Sequence, residues 1–272
     1  MQIGGGAVGV LRLGSPDRPP VLFVHGFSGD LLTWQYNLLP FAKDHHVVAI
    51  DLPGHGRSGP ATGSQHWRDM VDWLAELIAA LDLVRPHLIG HSLGGRLALG
   101  LVEHRLVAAR SLSLLACAGI GPGHDYPFLK RLASIETLED ALACSHYLFA
   151  DAAVDLERMA RAMHAKLSLP AAKTALDGIL DDNFENGRLR SAVSIDWARI
   201  DCPVQLIWAR DDRVNEIPEA GSLPASVEFH VLERGGHLPH IAAADQVNRL
   251  LGAFVRRTDQ AASQVNRVAP QE

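Results

Sequence analysis

The chain has 272 residues, a formal net charge of −6 and 47% hydrophobic residues. That length supports one large globular domain, with or without an insertion, or two small domains. The charges are scattered, so the sequence offers no basic surface for nucleic acid or for anionic membrane lipids. It begins without the basic and long apolar segments of a signal peptide, and no later apolar run could cross a bilayer. We therefore expect a cytoplasmic protein whose partner is a small molecule.

The cysteines and histidines form no pattern typical of a metal site or a disulfide framework. Cys117, Cys144 and Cys202 are widely spaced in apolar surroundings, which favours buried free thiols. The 14 histidines include no HExxH or comparable spacing. We expect neither a metal nor a cofactor.

The first part of the chain alternates apolar runs with helical patterns. After an opening strand over 8–13, continuous apolar runs at 21–24, 47–51, 87–90 and 111–116 are typical of strands covered on both faces. Between the second and third of these runs, residues 66–83 place apolar side chains at three-and-four spacing, which predicts an amphipathic helix. This alternation predicts a mostly parallel sheet with right-handed crossovers.

The alternation stops after the run at 111–116. From about 119 to 194 only helical patterns occur, one of them opening at Pro170. Strands resume at 204–209 and 227–232, and a closing helix follows at 242–255. We therefore expect a core of residues 1–118 and 195–256, a helical cap of residues 119–194 that shapes a substrate pocket, and a disordered polar tail of residues 257–272.

A serine lies between two glycines where the strand at 87–90 gives way to a helical pattern. In Gly90-His91-Ser92-Leu93-Gly94, the small residues stand two before and two after Ser92, as a sharp strand-to-helix turn requires. An ordinary glycine-rich turn has the same five letters, so residues elsewhere must decide between the two interpretations.

Two further polar residues complete a catalytic pattern. A serine hydroxyl needs a base to remove its proton, and that base needs an acceptor to fix its tautomer. Asp212 and His237 each follow an apolar strand, as Ser92 does, so a parallel sheet would bring all three to its carboxyl edge. The order Ser92, Asp212, His237 in this context predicts a catalytic triad.

Residues 8–255 resemble the α/β-hydrolase family. His25-Gly26-Phe27 is similar to its oxyanion loop, residues 51–58 to its loop after the next strand, and Gly236-His237 to its catalytic-histidine turn. The resemblance implies the α/β-hydrolase fold, a mostly parallel twisted sheet flanked by helices with a helical cap inserted between sheet strands.

The resemblance also implies roles for particular backbone and side-chain groups. The backbone N–H groups of Phe27 and Leu93 would form the oxyanion hole. The family's Gly-x-x-Asp pattern, with Ala209 in place of the glycine, selects Asp212 as the acid, while Asp211 stays an alternative.

Histidines and an aspartate near these motifs have structural interpretations. We expect Asp51 and His55 to brace their loop through hydrogen bonds to the backbone, and His91 to be structural. We expect His240 on the surface, with a place behind His237 as the alternative.

A closer resemblance is to the hydrolase-like domain of acetoin dehydrogenase dihydrolipoyl acyltransferase components. It rests on residues 23–31, the loop at Asp51, and residues 247–251. Those components also carry a lipoyl domain, whose modified lysine follows an aspartate. None of the lysines here, Lys43, Lys130, Lys166 and Lys173, follows an aspartate, which favours a hydrolase without the lipoyl domain.

The sequence therefore predicts a serine hydrolase that cleaves a small ester or related acyl compound through an acyl-serine intermediate. An acyltransferase or a carbon–carbon bond hydrolase would use the same triad. A receptor that binds a small ligand without turnover is the alternative from another class. The oligomeric state stays open between monomer and homodimer.

Overall fold

The structure is a computed structural model that describes residues 1–3, 6–150, 153–190 and 194–268. Its strands are β1 (Gln2–Ile3), β2 (Gly6–Ala7), β3 (Val10–Leu13), β4 (Pro20–Val24), β5 (His46–Ile50), β6 (His87–His91), β7 (Ser111–Leu115), β8 (Phe184–Glu185), β9 (Arg188–Leu189), β10 (Val204–Ala209) and β11 (Val227–Leu232). Its helices are α1 (Leu39–Ala42), α2 (Trp67–Ala80), α3 (Leu93–Glu103), α4 (Tyr126–Ala133), α5 (Leu138–Phe149), α6 (Leu156–Leu167), α7 (Pro170–Asn183), α8 (Pro239–Ala242) and α9 (Ala244–Val268). Within these residues, no helix has both the length and the apolar composition needed to cross a membrane.

The main sheet has seven strands in the order β11-β10-β7-β6-β4-β5-β3 within the described residues. Every neighbouring pair is parallel except β3 and β5, which are antiparallel. The predicted mostly parallel sheet is confirmed, and β10 and β11 have the predicted bounds. Because β6 is the fourth of the seven strands, the turn that follows it lies at the centre of the sheet's carboxyl edge.

Successive side chains of each strand enter cores on opposite faces of the sheet, as the pleat requires. Phe23 of β4 contacts Trp34 and Phe41 on one face, with ring centroids 5.2 Å and 5.7 Å apart, in a core that α9 completes. Its neighbour Leu22 belongs to the other core, which α2 and α3 cover. All four of these side chains are nearly or wholly inaccessible to solvent. Both faces being covered explains why the strands are continuous apolar runs.

The segment between β7 and β10 contains α4 to α7, as the helical patterns predict, and also a hairpin that they do not predict. Strands β8 and β9 pair antiparallel through Asn186 and Gly187, whose φ angles are 51° and 77°. Asn-Gly is the favoured sequence for a two-residue hairpin turn because both positions need positive φ. The expectation of a segment without strands is wrong at this hairpin, and its Asn-Gly was the signal.

The predicted disordered tail is wrong for residues 257–268, because α9 continues through them to Val268. Residues 269–272 lie outside the described residues. Arg257 pairs with Glu228 of β11 at 2.6 Å, and Asp259 lies 3.0 Å from His45 Nε2 and 3.2 Å from His87 Nε2. These partners are far away in the sequence, so the local sequence pattern does not reveal the contacts of Arg257 and Asp259.

His240 is wholly buried, so its expected surface position is wrong. Its ring lies between Trp34 and His91, with centroid distances of 4.4 Å and 4.6 Å. Neither ring nitrogen has a hydrogen-bond partner among the described residues. Burial, with a smaller contribution from the nearby His237, lowers the pKa of His240 to about 3.

Replacing Asp259 should destabilise the protein, because the carboxylate is the shared acceptor of two buried histidines. We expect Asp259→Asn to lower the free energy of unfolding by about 1–3 kcal/mol, the usual cost of losing a charged hydrogen-bond acceptor. Urea denaturation measures the change, and Gln260→Ala, at the exposed next position, is the control. Equal stability of wild type and Asp259→Asn would show that this contact does not hold α9.

Replacing His240 should make the free energy of unfolding less dependent on pH below pH 7. Its pKa is about 3 in the folded protein, below the ordinary 6.5, so the unfolded chain takes up a proton first as the pH falls. Stability is then lost below pH 6.5 at about 1.4 kcal/mol per pH unit. Between pH 7 and pH 5, we expect wild type to lose about 2 kcal/mol more than His240→Phe in urea denaturation. The exposed His146→Gln should behave as wild type, and identical losses for His240→Phe and wild type would contradict the assignment.

Candidate active site

Ser92 occupies the turn between β6 and α3 with φ 50° and ψ −116°. A residue with a side chain rarely adopts such angles, so the surrounding structure has to hold the turn in place. A methyl group on Gly94 would overlap the carbonyl oxygens of Val24 and His25, and one on Gly90 would overlap the backbone of Gly94. Glycine is therefore required on both sides of Ser92, as the elbow interpretation predicts.

His237 and Asp212 form a pair at the same edge of the sheet. His237 Nδ1 lies 3.0 Å and 3.1 Å from the two carboxylate oxygens of Asp212. Asp212 Oδ1 also accepts hydrogen bonds from the backbone N–H groups of Val214 at 2.8 Å and Asn215 at 3.2 Å. The Asp212 side chain is only 1% exposed, so these donors replace the water that an ionised carboxylate needs.

The neighbouring aspartate makes a different contact. Asp211 Oδ1 accepts a hydrogen bond from the backbone N–H of Gly236 at 2.9 Å, in the turn that carries His237. Asp212, not Asp211, therefore faces the imidazole, and Asp211 braces the backbone beside it.

The main chain of His237 is held from two sides. Its N–H donates to the carbonyl of Leu148, at the end of α5, at 2.7 Å. Its carbonyl accepts a hydrogen bond from His91 Nε2, also at 2.7 Å. Burial lowers the pKa of His91 well below its ordinary value, so the ring acts as a neutral donor. This is the structural role expected for His91.

The loop after β4 is fixed by buried histidines. His25 Nδ1 lies 2.8 Å from the Gly26 carbonyl, and His25 Nε2 accepts from the Leu52 N–H at 3.0 Å. The Gly26 carbonyl belongs to the same peptide unit as the Phe27 N–H, so the His25 contact also fixes the direction of that donor. His55 Nε2 holds the Phe27 carbonyl at 2.6 Å, which agrees with the bracing role expected for His55.

Asp51 supports the same loop from the end of β5. Its carboxylate accepts hydrogen bonds from the backbone N–H groups of Leu31 at 2.7 Å and Arg57 at 2.8 Å. Burial raises the pKa of Asp51, although these N–H donors oppose the shift. Among the described residues, the Phe27 and Leu93 N–H groups donate no backbone hydrogen bond apart from any within a helix or strand, and Phe27 lines the cavity described next.

Ser92 and His237 line one cavity of about 300 Å³, together with Phe27 and His91. Its other walls are mostly apolar and come largely from α4, α5 and α6 and from the loop before α8. The apolar residues include Leu132, Leu148, Phe149, Met163, Val214 and Leu238.

Charged residues of this cavity were missed in the sequence. Asp30, Arg158 and Lys166 contribute to the lining, the last two from α6. The sequence signal for Lys166 was its spacing from Met159 and Met163, because intervals of three and four residues place all three on one face of a helix.

One cluster of described residues has the geometry of a metal site, although the sequence gave no such expectation. Ligand atoms of His45, His87 and Asp259 all lie within 4.8 Å of one another. Arg110 Nη1 is 3.4 Å from Asp259 Oδ1 and already supplies positive charge there. The cluster lies at the amino end of β6, whereas Ser92 follows its carboxyl end, so it is separate from the cavity.

Comparisons with known proteins show the family and the fold. The family model described as "Alpha/beta hydrolase family" matches residues 21–250. A dihydrolipoyllysine-residue acetyltransferase component of the acetoin cleaving system from Pseudomonas putida is 30% identical over 94% of this chain. The chain spans 68% of that relative and 62% of the corresponding protein of Cupriavidus necator.

Hydrolases are also similar to this chain. An (E)-2-((N-methylformamido)methylene)succinate hydrolase from Acinetobacter baylyi is 26% identical over 88% of this chain and 91% of its own length. The solved structure of a bacterial membrane phospholipase A superposes with a TM-score of 0.81, at 24% identity, over 95% of this chain and 85% of that one. The chain belongs to the alpha/beta hydrolase family.

Proposed function

We propose that this alpha/beta hydrolase is a serine hydrolase that cleaves a small ester or related acyl compound through an acyl-Ser92 intermediate. The observation that carries the proposal is the His237–Asp212 contact of 3.0 Å at a cavity that Ser92 also lines. A receptor would need a pocket but not an oriented imidazole beside a strained serine.

Each group has a definite task in the proposed reaction. Ser92 Oγ attacks the substrate carbonyl while His237 Nε2 takes its proton, and Asp212 holds the imidazole and stabilises the resulting cation. The Phe27 and Leu93 N–H groups bind the oxygen that becomes negative, where one donor contributes about 10²- to 10³-fold in rate. His237 then protonates the leaving group, and a water activated by the same histidine releases the acyl group.

The size of the cavity supports a small substrate. Its volume of about 300 Å³ lies at the lower end of the range of about 300–1,000 Å³ typical of ligand pockets. Mostly apolar walls favour a hydrocarbon portion next to the scissile carbonyl.

Acyl transfer is the second candidate, because the acetoin-system relatives at 30% and 28% identity are acetyltransferase components. Both reactions share acyl-Ser92 and differ only in whether water or another nucleophile accepts the acyl group. Turnover of a nitrophenyl ester with an added dithiol, followed by quantification of thioester and free acid, separates them. Predominant thioester at millimolar dithiol would favour the transferase.

Ser92 should be the residue that reacts with an active-site-directed probe. A fluorophosphonate should label wild type at Ser92, as located by peptide mass spectrometry, and should leave Ser92→Ala unlabelled. We expect Ser92→Ala to lower kcat on short-chain nitrophenyl esters by at least about 10³-fold, because the covalent step is lost. Equal rates for the two proteins, or labelling at another residue, would remove the case for this mechanism.

The two adjacent aspartates should differ in their effect on catalysis. Asp212→Asn should lower kcat on the order of 10⁴-fold, because an amide stabilises the wrong imidazole tautomer and cannot balance its charge. Asp211→Asn keeps an oxygen that can accept from Gly236, so we expect a loss below about tenfold. Steady-state kinetics of both variants gives the answer, and a larger loss in Asp211→Asn would reverse the assignment.

A further inference from the structure

One face of α6 forms a wall of the cavity. Met159, Ala162, Met163 and Lys166 all line it, at intervals of three and four residues, and Arg158 precedes them. The wall is therefore apolar in its middle and cationic at both ends of the helix.

Lys166 joins this helix to the oxyanion loop. Its Nζ lies 3.4 Å from Asp30 Oδ2, and the two side chains are 25% and 19% exposed. Burial lowers the pKa of His55, and the charge of Lys166 adds to that effect, so the ammonium lies within electrostatic range of the loop. Asp30 has a second task, since its Oδ1 accepts from the Leu32 N–H at 2.9 Å and caps the short helix Leu31–Trp34.

Arg158 is an exposed residue that contributes to the cavity lining, and no carboxylate of the described residues forms an ion pair with it. Arg161, on the same helix, contrasts with it. Arg161 pairs with Glu157 at 2.7 Å and is not part of the cavity wall. The unpaired cation is thus the one beside the candidate active site.

The three charged groups of the lining, Arg158, Lys166 and Asp30, sum to one positive charge in a chain whose formal net charge is −6. A carboxylate monoanion balances that charge, whereas a phosphate monoester, with about −1.5 to −2 at neutral pH, exceeds it. A guanidinium also matches the two oxygens of a carboxylate.

We propose that the substrate carries a carboxylate, bound by Arg158 with the support of Lys166, at the opposite end from an apolar portion held by the α6 wall. The inference rests on the proposed hydrolase function and narrows it to carboxylate-bearing acyl compounds. Arg158 and Lys166 are then specificity-determining residues, while the bond-breaking steps stay with Ser92 and His237.

Two pairs of esters of matched size test the inference. Mono-4-nitrophenyl adipate and 4-nitrophenyl adipamate differ only in a terminal carboxylate or amide on the acyl side. The hexanoates of 4-(carboxymethyl)phenol and 4-(carbamoylmethyl)phenol make the same comparison on the leaving-group side. We expect wild type to prefer the carboxylate of at least one pair by about tenfold in kcat/KM, after subtraction of uncatalysed hydrolysis, which corresponds to about 1.4 kcal/mol.

Removing a positive charge and removing a negative charge from the cavity lining should change the preference for the carboxylate ester in opposite directions. Arg158→Gln should bring the ratio close to one. Asp30→Asn should raise it about threefold, because the competing carboxylate is removed while an amide oxygen still caps the Leu32 N–H. Arg161→Gln is the matched control and should leave the ratio at the wild-type value. An increase in Asp30→Asn cannot result from misfolding.

Raised salt should also reduce the wild-type ratio, since partly exposed charges are screened. A ratio near one for both ester pairs in wild type, or a ratio unchanged in Arg158→Gln, would overturn the inference. Failure of the proposed function is recognised separately, because Ser92→Ala would then hydrolyse the amide esters as fast as wild type does.

Discussion

The backbone of Ser92 is the constraint on which the rest of the site depends. Its positive φ of 50° can persist only because the turn is fixed by its surroundings at the centre of the sheet. The Ser92 N–H donates to Leu115 of β7 at 2.9 Å, and its carbonyl accepts from Ala118 at 3.1 Å. The contacts that tie β6 to β7 therefore also fix the backbone of Ser92, the proposed nucleophile, and any change in their packing would move it.

The helical segment between β7 and β10 contacts the backbone of His237, the proposed base, as well as lining the cavity. The carbonyl of Leu148, at the end of α5, accepts the N–H of His237, and a methyl group on Gly236 would overlap the same carbonyl. Next to it, Ala150 has φ 48°, so the chain leaves α5 abruptly where this contact is made. A movement of α5 would thus displace His237. In the proposed mechanism, this segment would then affect the reaction rate as well as access to the cavity.

The features of this protein that depend on residues close together in the chain can be predicted from the sequence, whereas those that depend on distant residues mostly cannot. Strands β10 and β11, the start of α7 at Pro170 and the elbow around Ser92 each depend on residues close together in the chain. The order of Ser92, Asp212 and His237 also predicts a contact between distant residues, because a parallel sheet brings strand ends to one edge. The family pattern selects Asp212 and leaves Asp211 as an alternative. Only the three-dimensional structure shows which of them contacts His237, since adjacent positions in a turn point in different directions.

The features that sequence reasoning missed depend on partners that only the fold supplies. Asp259 of α9 contacts His45 and His87, more than 170 residues earlier, and the buried ring of His240 packs against Trp34. No local periodicity could reveal either contact. Their shared cause is that a polar side chain looks solvated in sequence until its distant acceptor or stacking ring is known.

The charges of the site are distributed unequally between its two walls. On the sheet side, burial keeps His25 and His91 neutral, which leaves the backbone N–H groups as the donors for a developing negative charge. On the α6 side, Arg158 is exposed and the Lys166 side chain is 25% exposed. A buried cation beside the proposed oxyanion site would also bind an anionic ground state, whereas more exposed cations on α6 would attract an anion without competing for the scissile carbonyl. In the proposed site, the reacting groups and the groups that select the substrate therefore lie on different elements, and the Lys166–Asp30 contact of 3.4 Å connects α6 to the loop after β4.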